Sequence, residues 1–325
     1  MDTLTHTLMG GTIVGLATID PNIDALSTGF IITVVGASLV PDTDTILKLK
    51  DNATYIKNHR GITHSLPFTF LVWPMLITFL ATLLFDLPFG ATYLWVQLAV
   101  FLHVFVDIFN SYGTQALRPI DFTWIQIGII NTVDYFIIIM HVLYFILWFI
   151  GFSPVGLFFI LYAVLFVYYV VRFLMQRTIK RRVEHQLPHQ NIERVFVLPT
   201  LKFFVWRVVV VTETHYYIGQ SVRGTMMFYD TFEQKDWLPQ EIHDIVKFDK
   251  NLRTFIFFSS IYRYELKELD DNKMEVRFID LRYLKNGHYS FVAIMIIDLD
   301  KKTVEHSYTG WVFSEERLQQ ILLNN

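Results

Sequence analysis

Residues 91–110 read ATYLWVQLAVFLHVFVDIFN and decide the fold of the first half of the chain. A bilayer core is crossed by ~20 predominantly apolar residues, so this stretch predicts a transmembrane helix. It contains two side chains, His103 and Asp107, that are rare inside a membrane. Because they are four residues apart, they would lie on one helix face. An imidazole and a carboxylate at this spacing suit zinc or another divalent ion with mixed nitrogen and oxygen ligands.

The composition of the whole chain agrees with a membrane protein. Of its 325 residues, 53% are hydrophobic and 30 are Phe, and the mean hydropathy is +0.39. The net charge of −3 names no polyanionic partner, so no nucleic acid is expected. The absence of cysteine excludes disulfides and thiolate metal sites, so any metal must be bound by His, Asp and Glu. The N-terminus lacks the cationic region of a secretory signal, and no cleavage is expected.

Further apolar runs lie on both sides of residues 91–110. Two weaker runs, 5–19 and 28–41, are rich in Gly, Ala and Thr, which suits close helix packing. They form a hairpin that either crosses the membrane or only dips into it. The sequence therefore predicts an α-helical polytopic membrane domain of about five to six helices in residues 1–177. The other runs of spanning length are 66–86, 128–150 and 153–175.

The pattern changes after about residue 178. Stretches such as YSFVAIMIIDLD (289–300) are β-branched and aromatic, with partial alternation. DDNK (270–273) and KNGH (285–288) predict hairpin turns. We predict that residues 178–325 form a small, mainly-β (α+β) cytosolic domain of antiparallel strands, closed by a short helix in SEERLQQILL (314–323).

The basic residues predict the orientation in the membrane. Lys and Arg occur in alternate connections between the apolar runs and directly after the last run, and the intervening connections contain none. The positive-inside rule places the basic connections in the cytoplasm. A multi-pass protein of the cell membrane is therefore expected, with both termini and the C-terminal domain on the cytoplasmic side. The connections without Lys or Arg are 20–27, 86–90 and 151–153.

The ionisable side chains inside or beside the apolar runs form an ordered set. Such groups are costly at membrane depth unless they are paired or bound to metal, so they are functional candidates. In a six-span topology each of them lies at the cytoplasmic end of its helix. We predict that they bind a divalent metal, and zinc is the expected ion. Because there are eight candidate ligands, a site of two or more ions also fits. The predicted ligands are His6, Asp42, Asp44, His59, His64, His103, Asp107 and Asp134.

Each signal also has a structural interpretation. A lone histidine such as His6 is typical of a helix end, HVFVD (103–107) also fits an intramembrane hydrogen-bonded pair, and PDTD (41–44) is typical of a turn and helix cap. HRGITHS (59–65) fits a cytoplasmic loop in which Arg60 faces anionic lipid headgroups. His141 lies deeper in its run, and we interpret it as structural. For the set as a whole, all the structural interpretations would have to hold at once on one face of the membrane, which favours the metal site.

Four sequence blocks resemble the signatures of the YdjM-type family of membrane-bound metal-dependent hydrolases. With its C-terminal extension, the whole chain is most similar to the YfhP-like members found in Firmicutes. The resemblance implies an integral protein of the bacterial inner membrane with hydrolase activity. The order of ligand types is also similar to that of zinc-dependent phospholipase C, as a fold-level analogy. That pattern has an HxxxE block, which is missing after residue 107, and Asp134 is the candidate to replace part of it. The blocks are MDTLTH (1–6), PDTD (41–44), HRGITHS (59–65) and HVFVDIFNSYGTQAL (103–117).

The expected function is a metal-dependent hydrolase at the boundary between cytosol and membrane. Zinc would lower the pKa of a bound water towards ~7. Asp44 and Asp107 are candidate general bases, and Arg60 is a candidate to stabilise a developing phosphate oxyanion. A site at this depth suits an amphiphile, so we expect a small phosphoester or phospholipid-like substrate and membrane lipid as a partner.

Two other classes of protein fit the same residues. One is a membrane regulator or scaffold, in which the metal is structural and the β domain binds a cytosolic protein. The other is an ion transporter, whose sites usually lie near the membrane midplane between inverted repeats. The predicted ligands crowd one end of the helices and no repeat is evident, so transport ranks last.

Overall fold

The computed structural model describes residues 1–187, 190–234, 238–270, 272–285, 288–314 and 316–318. The chain forms two compact units whose segments alternate along the sequence. The predicted border at residue 177 falls inside the helix Pro154–Gln186. The first unit comprises Met1–Asp44, Arg60–Arg182 and Val197–Trp206, and the second comprises Thr45–His59, Val183–Phe196 and Arg207–Asn325.

Helices make up most of the first 187 residues. A 3₁₀ segment, Val40–Leu49, follows α2, a 3₁₀ turn covers Ile62–His64, and a π-helical turn, Phe68–Val72, leads into α4. The α-helices in chain order are α1 (Thr3–Ala17), α2 (Thr28–Ala37), α3 (Asn52–Asn58), α4 (Trp73–Phe85), α5 (Phe89–Asp107), α6 (Tyr135–Phe149), α7 (Pro154–Gln186), α8 (Gln240–Val246) and α9 (Lys250–Phe258).

The predicted helical membrane domain is confirmed. In the part of the chain that the structure describes, Phe68–Phe85, α5 and α7 are long and apolar enough to cross a membrane. A fourth span is added if α2 and the 3₁₀ segment, bent by 66° at their junction, count as one. Helix α6 has only 15 residues, because Asp134 caps its first turn. The predicted run 128–150 is therefore helical only in its later part.

Helices α1 and α2 approach closely at Gly10. A Cβ atom on Gly10 would lie 2.5 Å from Ser38 Oγ and 3.0 Å from the Cα atom of Val35. Ser38 Oγ donates a hydrogen bond of 2.9 Å to the carbonyl of His6, so the same contact ties the end of α2 to α1. The apolar core beside this contact includes Ile13, Val14, Phe30 and Val34.

Gly10→Ala is expected to destabilise the first unit by about 1–3 kcal/mol, because the backbone of α2 must shift to admit the methyl group. Gly36→Ala is the matched control, since a Cβ there meets nothing within 4 Å. Alanine at Gly36 is expected to leave stability unchanged or to raise it by about 0.5–1 kcal/mol through helix propensity. The midpoints of thermal unfolding of the two variants in detergent test this, and equal midpoints would contradict the close packing.

The second unit contains antiparallel sheets, as predicted. One sheet has the order β1-β2-β3-β4, a second has the order β10-β9-β6-β5, and β7 pairs with β8. Strand β5 pairs with β6 and β7 pairs with β8, both antiparallel, and residues 271, 286 and 287 of the predicted turns at 270–273 and 285–288 lie outside the described residues. The strands are β1 (Ile192–Pro199), β2 (Val205–Thr212), β3 (His215–Val222), β4 (Thr225–Glu233), β5 (Tyr262–Asp270), β6 (Lys273–Asp280), β7 (Leu284–Lys285), β8 (His288–Tyr289), β9 (Phe291–Asp298) and β10 (Thr303–Trp311).

Strand β9 forms the centre of the second unit and is buried along its whole length. Helix α9 covers it, with Phe255 stacked on Phe291 at 5.3 Å between ring centroids. This burial explains why β9 reads as a continuous apolar run rather than as an alternating pattern. Of the predicted closing helix, residues 316–318 are helical, and residues 315 and 319–323 lie outside the described residues.

Candidate metal centre

Four predicted ligands from three separate parts of the chain converge in the first unit. Asp42, His64, His103 and Asp107 each offer one ligand atom, and these atoms lie within 4.8 Å of one another. We call these four residues the His–Asp cluster. Three of them are completely or almost completely buried, and Asp42 keeps 21% of its side chain exposed. The cluster therefore has one member that solvent reaches.

The local structure explains how these residues meet. His103 and Asp107 lie on one face in the last turns of α5, as their spacing predicted. Asp42 follows the bend after α2, in the first turn of the 3₁₀ segment. His64 ends a short 3₁₀ turn. The four side chains are thus placed by the end of α5, by the 3₁₀ segment after α2 and by the 3₁₀ turn that ends at His64.

Hydrogen bonds to the backbone orient the imidazole rings. His103 Nδ1 lies 2.6 Å from the carbonyl oxygen of Ser38, which requires that Nδ1 carries the proton and donates it. The lone pair of His103 therefore lies on Nε2, which faces His64 Nε2 at 3.3 Å. Support of one ring nitrogen by a carbonyl is the usual arrangement around a metal-binding histidine.

Burial keeps His64 uncharged. Removal from water lowers the pKa of His64 to about 3, although the neighbouring Asp42 favours the charged form. The imidazole is therefore neutral at neutral pH, as a metal ligand must be. Its Nδ1 lies 3.1 Å from Thr63 Oγ1, which leaves Nε2 directed at the cluster.

The donor set of the cluster fits a divalent cation. Asp107 Oδ2 lies 3.6 Å from His64 Nε2 and 3.7 Å from His103 Nε2. Asp42 Oδ1 lies 3.5 Å from His64 Nε2. Both carboxylate oxygens are buried and accept no well-aligned hydrogen bond in the described structure. These carboxylate oxygens face the Nε2 atoms of the two imidazoles, and two imidazoles with two carboxylates are a ligand set that zinc accepts.

Positive groups border the cluster at Asp107. Arg60 Nη2 lies 3.1 Å from Asp107 Oδ2 and donates to the carbonyl of Met1 at 3.3 Å. The α-amino group of Met1 contacts Asp107 Oδ1 and lies 2.9 Å from His6 Nε2. The His6 ring stacks on His103 at 3.6 Å between centroids, and its Nε2 lies 3.4 Å from Asp107 Oδ1. His6 thus lies beside the His–Asp cluster, against two of its members.

Asp44 organises the loop that carries Arg60 and His64. Its Oδ2 accepts hydrogen bonds from the backbone N–H of Arg60 and from Thr63 Oγ1, both at 2.9 Å. Arg60 has φ = 57°, a left-handed conformation that costs energy in a residue with a side chain. The bond to Asp44 helps to hold this conformation. The predicted role of Asp44 as a general base stays a prediction.

Asp134 and His59 are not members of the His–Asp cluster, and their roles as ligands stay predictions. Asp134 Oδ1 caps α6 by accepting from the N–H groups of Phe136 and Ile137, and its Oδ2 accepts a 2.8 Å bond from Tyr168. His59 ends α3 in the second unit, and its ring lies 4.7 Å from that of Tyr55.

Two positioning residues were not predicted from the sequence. Ser38 supplies the carbonyl that orients His103, and Thr63 supplies the hydroxyl between Asp44 and His64. The position of Thr63 directly before His64 was the available signal. Ser38 acts through its backbone carbonyl, so the type of its side chain gives no signal for this role.

An apolar cavity of about 440 Å³ lies in the first unit, and Met1, whose α-amino group contacts Asp107, is one of its lining residues. Its walls come from α5, α6 and α7 and expose almost no polar atoms. Several wall residues are also open on the outer surface, among them Phe105 at 43% and Phe166 at 70% exposure. The cavity is therefore apolar, and some of its wall residues belong to exposed helix faces.

The comparisons with known proteins cover almost the whole chain. A family model described as YdjM inner membrane protein matches residues 1–179, one described as YfhP middle domain matches residues 189–232, and one described as YfhP C-terminal alpha/beta plait domain matches residues 241–322. The chain is 45% identical over 326 residues to "Uncharacterized protein YfhP" of Bacillus subtilis (strain 168). This alignment covers 99% of this chain and 98% of that protein. No solved structure matches. The chain therefore belongs to the YdjM family of inner membrane proteins and carries the YfhP middle and C-terminal domains after its membrane part.

Proposed function

We propose that this protein is a membrane-embedded, metal-dependent hydrolase that acts at the cytosolic face of the membrane on a phosphoester. The observation that carries the proposal is the convergence of two imidazoles and two carboxylates within 4.8 Å, with a guanidinium 3.1 Å from one of the carboxylates. A bound divalent ion, zinc being the expected one, would supply a Lewis acid and activate water there. Arg60 would add a positive charge for the phosphoryl oxygens.

The contacts of each side chain in the structure support the role that we propose for it. His103, His64 and Asp107 are held by Ser38, Thr63 and Arg60 respectively, so the ligand geometry is preorganised. Asp42 is the exposed member, and the substrate would approach the cluster from its side. Arg60 contacts Asp107 through one nitrogen, and its planar guanidinium also suits paired phosphate oxygens.

The apolar cavity supports an amphiphilic substrate. Met1 lines the cavity, and its α-amino group contacts Asp107, so the cavity and the cluster share a border. A ligand with an acyl chain in the cavity would hold its phosphoester near the cluster. A phospholipid or another lipid phosphoester meets this description, and a membrane supplies it directly.

A substrate screen tests the proposal. The full-length protein in nanodiscs would be incubated with p-nitrophenyl phosphate, bis(p-nitrophenyl) phosphate and fluorescent phospholipids, with and without a chelator. We expect turnover that the chelator abolishes and that added zinc restores. Absence of metal-dependent turnover of every substrate, in protein shown to bind zinc, would contradict it.

One observation favours a second candidate, a membrane regulator with a structural metal. Three members of the cluster are at most 1% exposed, and structural zinc sites have closed coordination by protein ligands. In that case metal removal would lower the thermal unfolding midpoint, the screen would show no turnover, and the β domain would be the place to seek a cytosolic partner.

A further inference from the structure

A basic pocket in the second unit is not explained by the proposed function. It has a volume of about 560 Å³ and lies between the segment around α3 and helix α9. Four cationic side chains line it, and no acidic side chain does so among the residues described. The lining cations are Lys50, Lys57, Lys250 and Arg253.

The pocket is built from two parts of the chain that ion pairs and hydrogen bonds join. Lys250 Nζ donates to Asp51 Oδ2 and to Thr54 Oγ1, both at 2.8 Å. This contact connects α9 to α3 and gives Lys250 a structural role. Lys50 and Arg253 take part in no ion pair within the ranges the structure covers. Their charges are therefore available to a ligand.

The chemistry of the lining points to an anion with a non-polar part. A cleft lined by charges of one sign concentrates its potential and attracts the opposite charge. The guanidinium and ammonium groups of the lining together suit phosphate oxygens. Phe248 lines the pocket and is 78% exposed, so it offers an apolar surface beside the charges.

We propose that this pocket is a binding site for a phosphate-bearing anion, separate from the hydrolase chemistry. Two sources provide that chemistry. One is the headgroup of an anionic phospholipid, whose glycerol and upper acyl carbons would lie against Phe248. The other is a soluble phosphate compound such as a nucleotide, whose base would stack on the same ring.

The test measures binding to the full-length protein in a non-ionic detergent by microscale thermophoresis. The probes are dioctanoyl phosphatidylglycerol, ATP and inorganic phosphate, each at low and high salt. A chelator is present throughout, so that no metal ion bridges the phosphate. The variant Lys50→Ala/Arg253→Ala removes two lining cations that make no ion pair. The control Lys267→Ala/Lys301→Ala removes two cations of the second unit that do not line the pocket.

We expect saturable binding of at least one probe, weakened at least tenfold in the pocket variant, little changed in the control variant, and weaker at high salt. Binding of the lipid alone assigns a headgroup site, and binding of ATP or phosphate assigns a site for a soluble anion. Either result supports the proposal. No saturable binding of any probe, or an equal loss in both variants while their unfolding midpoints match the wild type, would overturn it. Neither outcome depends on whether the protein hydrolyses anything.

Discussion

We expect Asp107→Asn to weaken the binding of a divalent metal ion by more than about 100-fold. Substitution of residues that only support the ligands already changes metal affinity by about 10–100-fold, and the loss of a ligand should cost more. Asparagine keeps the size of the side chain and its contact with Asn110 Nδ2, but it removes the charge that two imidazoles and a guanidinium surround. The measurement is a zinc titration of chelator-treated protein, with metal content determined by mass spectrometry.

Asp134→Asn is the matched control for this substitution. The two oxygens of Asp134 serve the first turn of α6 and Tyr168, and asparagine is also a good helix cap. We therefore expect Asp134→Asn to keep the zinc content of the wild type. The reverse pattern, with zinc retained in Asp107→Asn and lost in Asp134→Asn, would move the metal centre to another part of the first unit.

Arg60→Met lowers kcat by about 10²–10³ under the proposed function, which is the usual cost of removing one group that stabilises a developing oxyanion. The zinc content at saturating zinc should stay that of the wild type, because Arg60 contributes no ligand atom, even though the loss of a partner of Asp107 changes zinc affinity by about 10–100-fold. The measurement is steady-state turnover of whichever phosphoester the screen identifies, with zinc content determined on the same samples.

Arg60→Lys separates charge from geometry at this position. Lysine restores a positive charge without the planar fork, so we expect partial recovery of kcat. Unfolding midpoints of both variants check that the left-handed backbone at residue 60 is tolerated. Full activity in Arg60→Met with zinc bound would remove Arg60 from the proposed chemistry.

The sequence was sufficient for the long apolar helices and for the strand pairs at the predicted hairpins. Apolar length identified α5 and α7, and turn residues identified the pairing of β5 with β6. The four-residue spacing in α5 predicted one shared face for His103 and Asp107, because helix geometry alone determines it. These features depend on residues that are close together in the sequence, so a local sequence pattern is enough to predict them.

Features that depend on distant contacts could not be predicted. The segment Thr45–His59 belongs to the second unit although it lies between two parts of the first. Nothing in its composition reveals this, since its partners lie about 200 residues away, as the bond from Lys250 to Asp51 shows. Asp134 did carry a local signal, because an aspartate directly before an apolar helix is typical of an N-cap.

The proposed metal centre requires two imidazoles and two carboxylates of the first unit to bind one cation together. An anomalous difference map at the zinc edge, from crystals of the zinc-loaded protein, measures this directly. We predict a peak about 2.0–2.2 Å from His64 Nε2, His103 Nε2 and a carboxylate oxygen of Asp42 and of Asp107. If crystals of the fully zinc-loaded protein show anomalous peaks only away from these four side chains, the His–Asp cluster is not the metal centre.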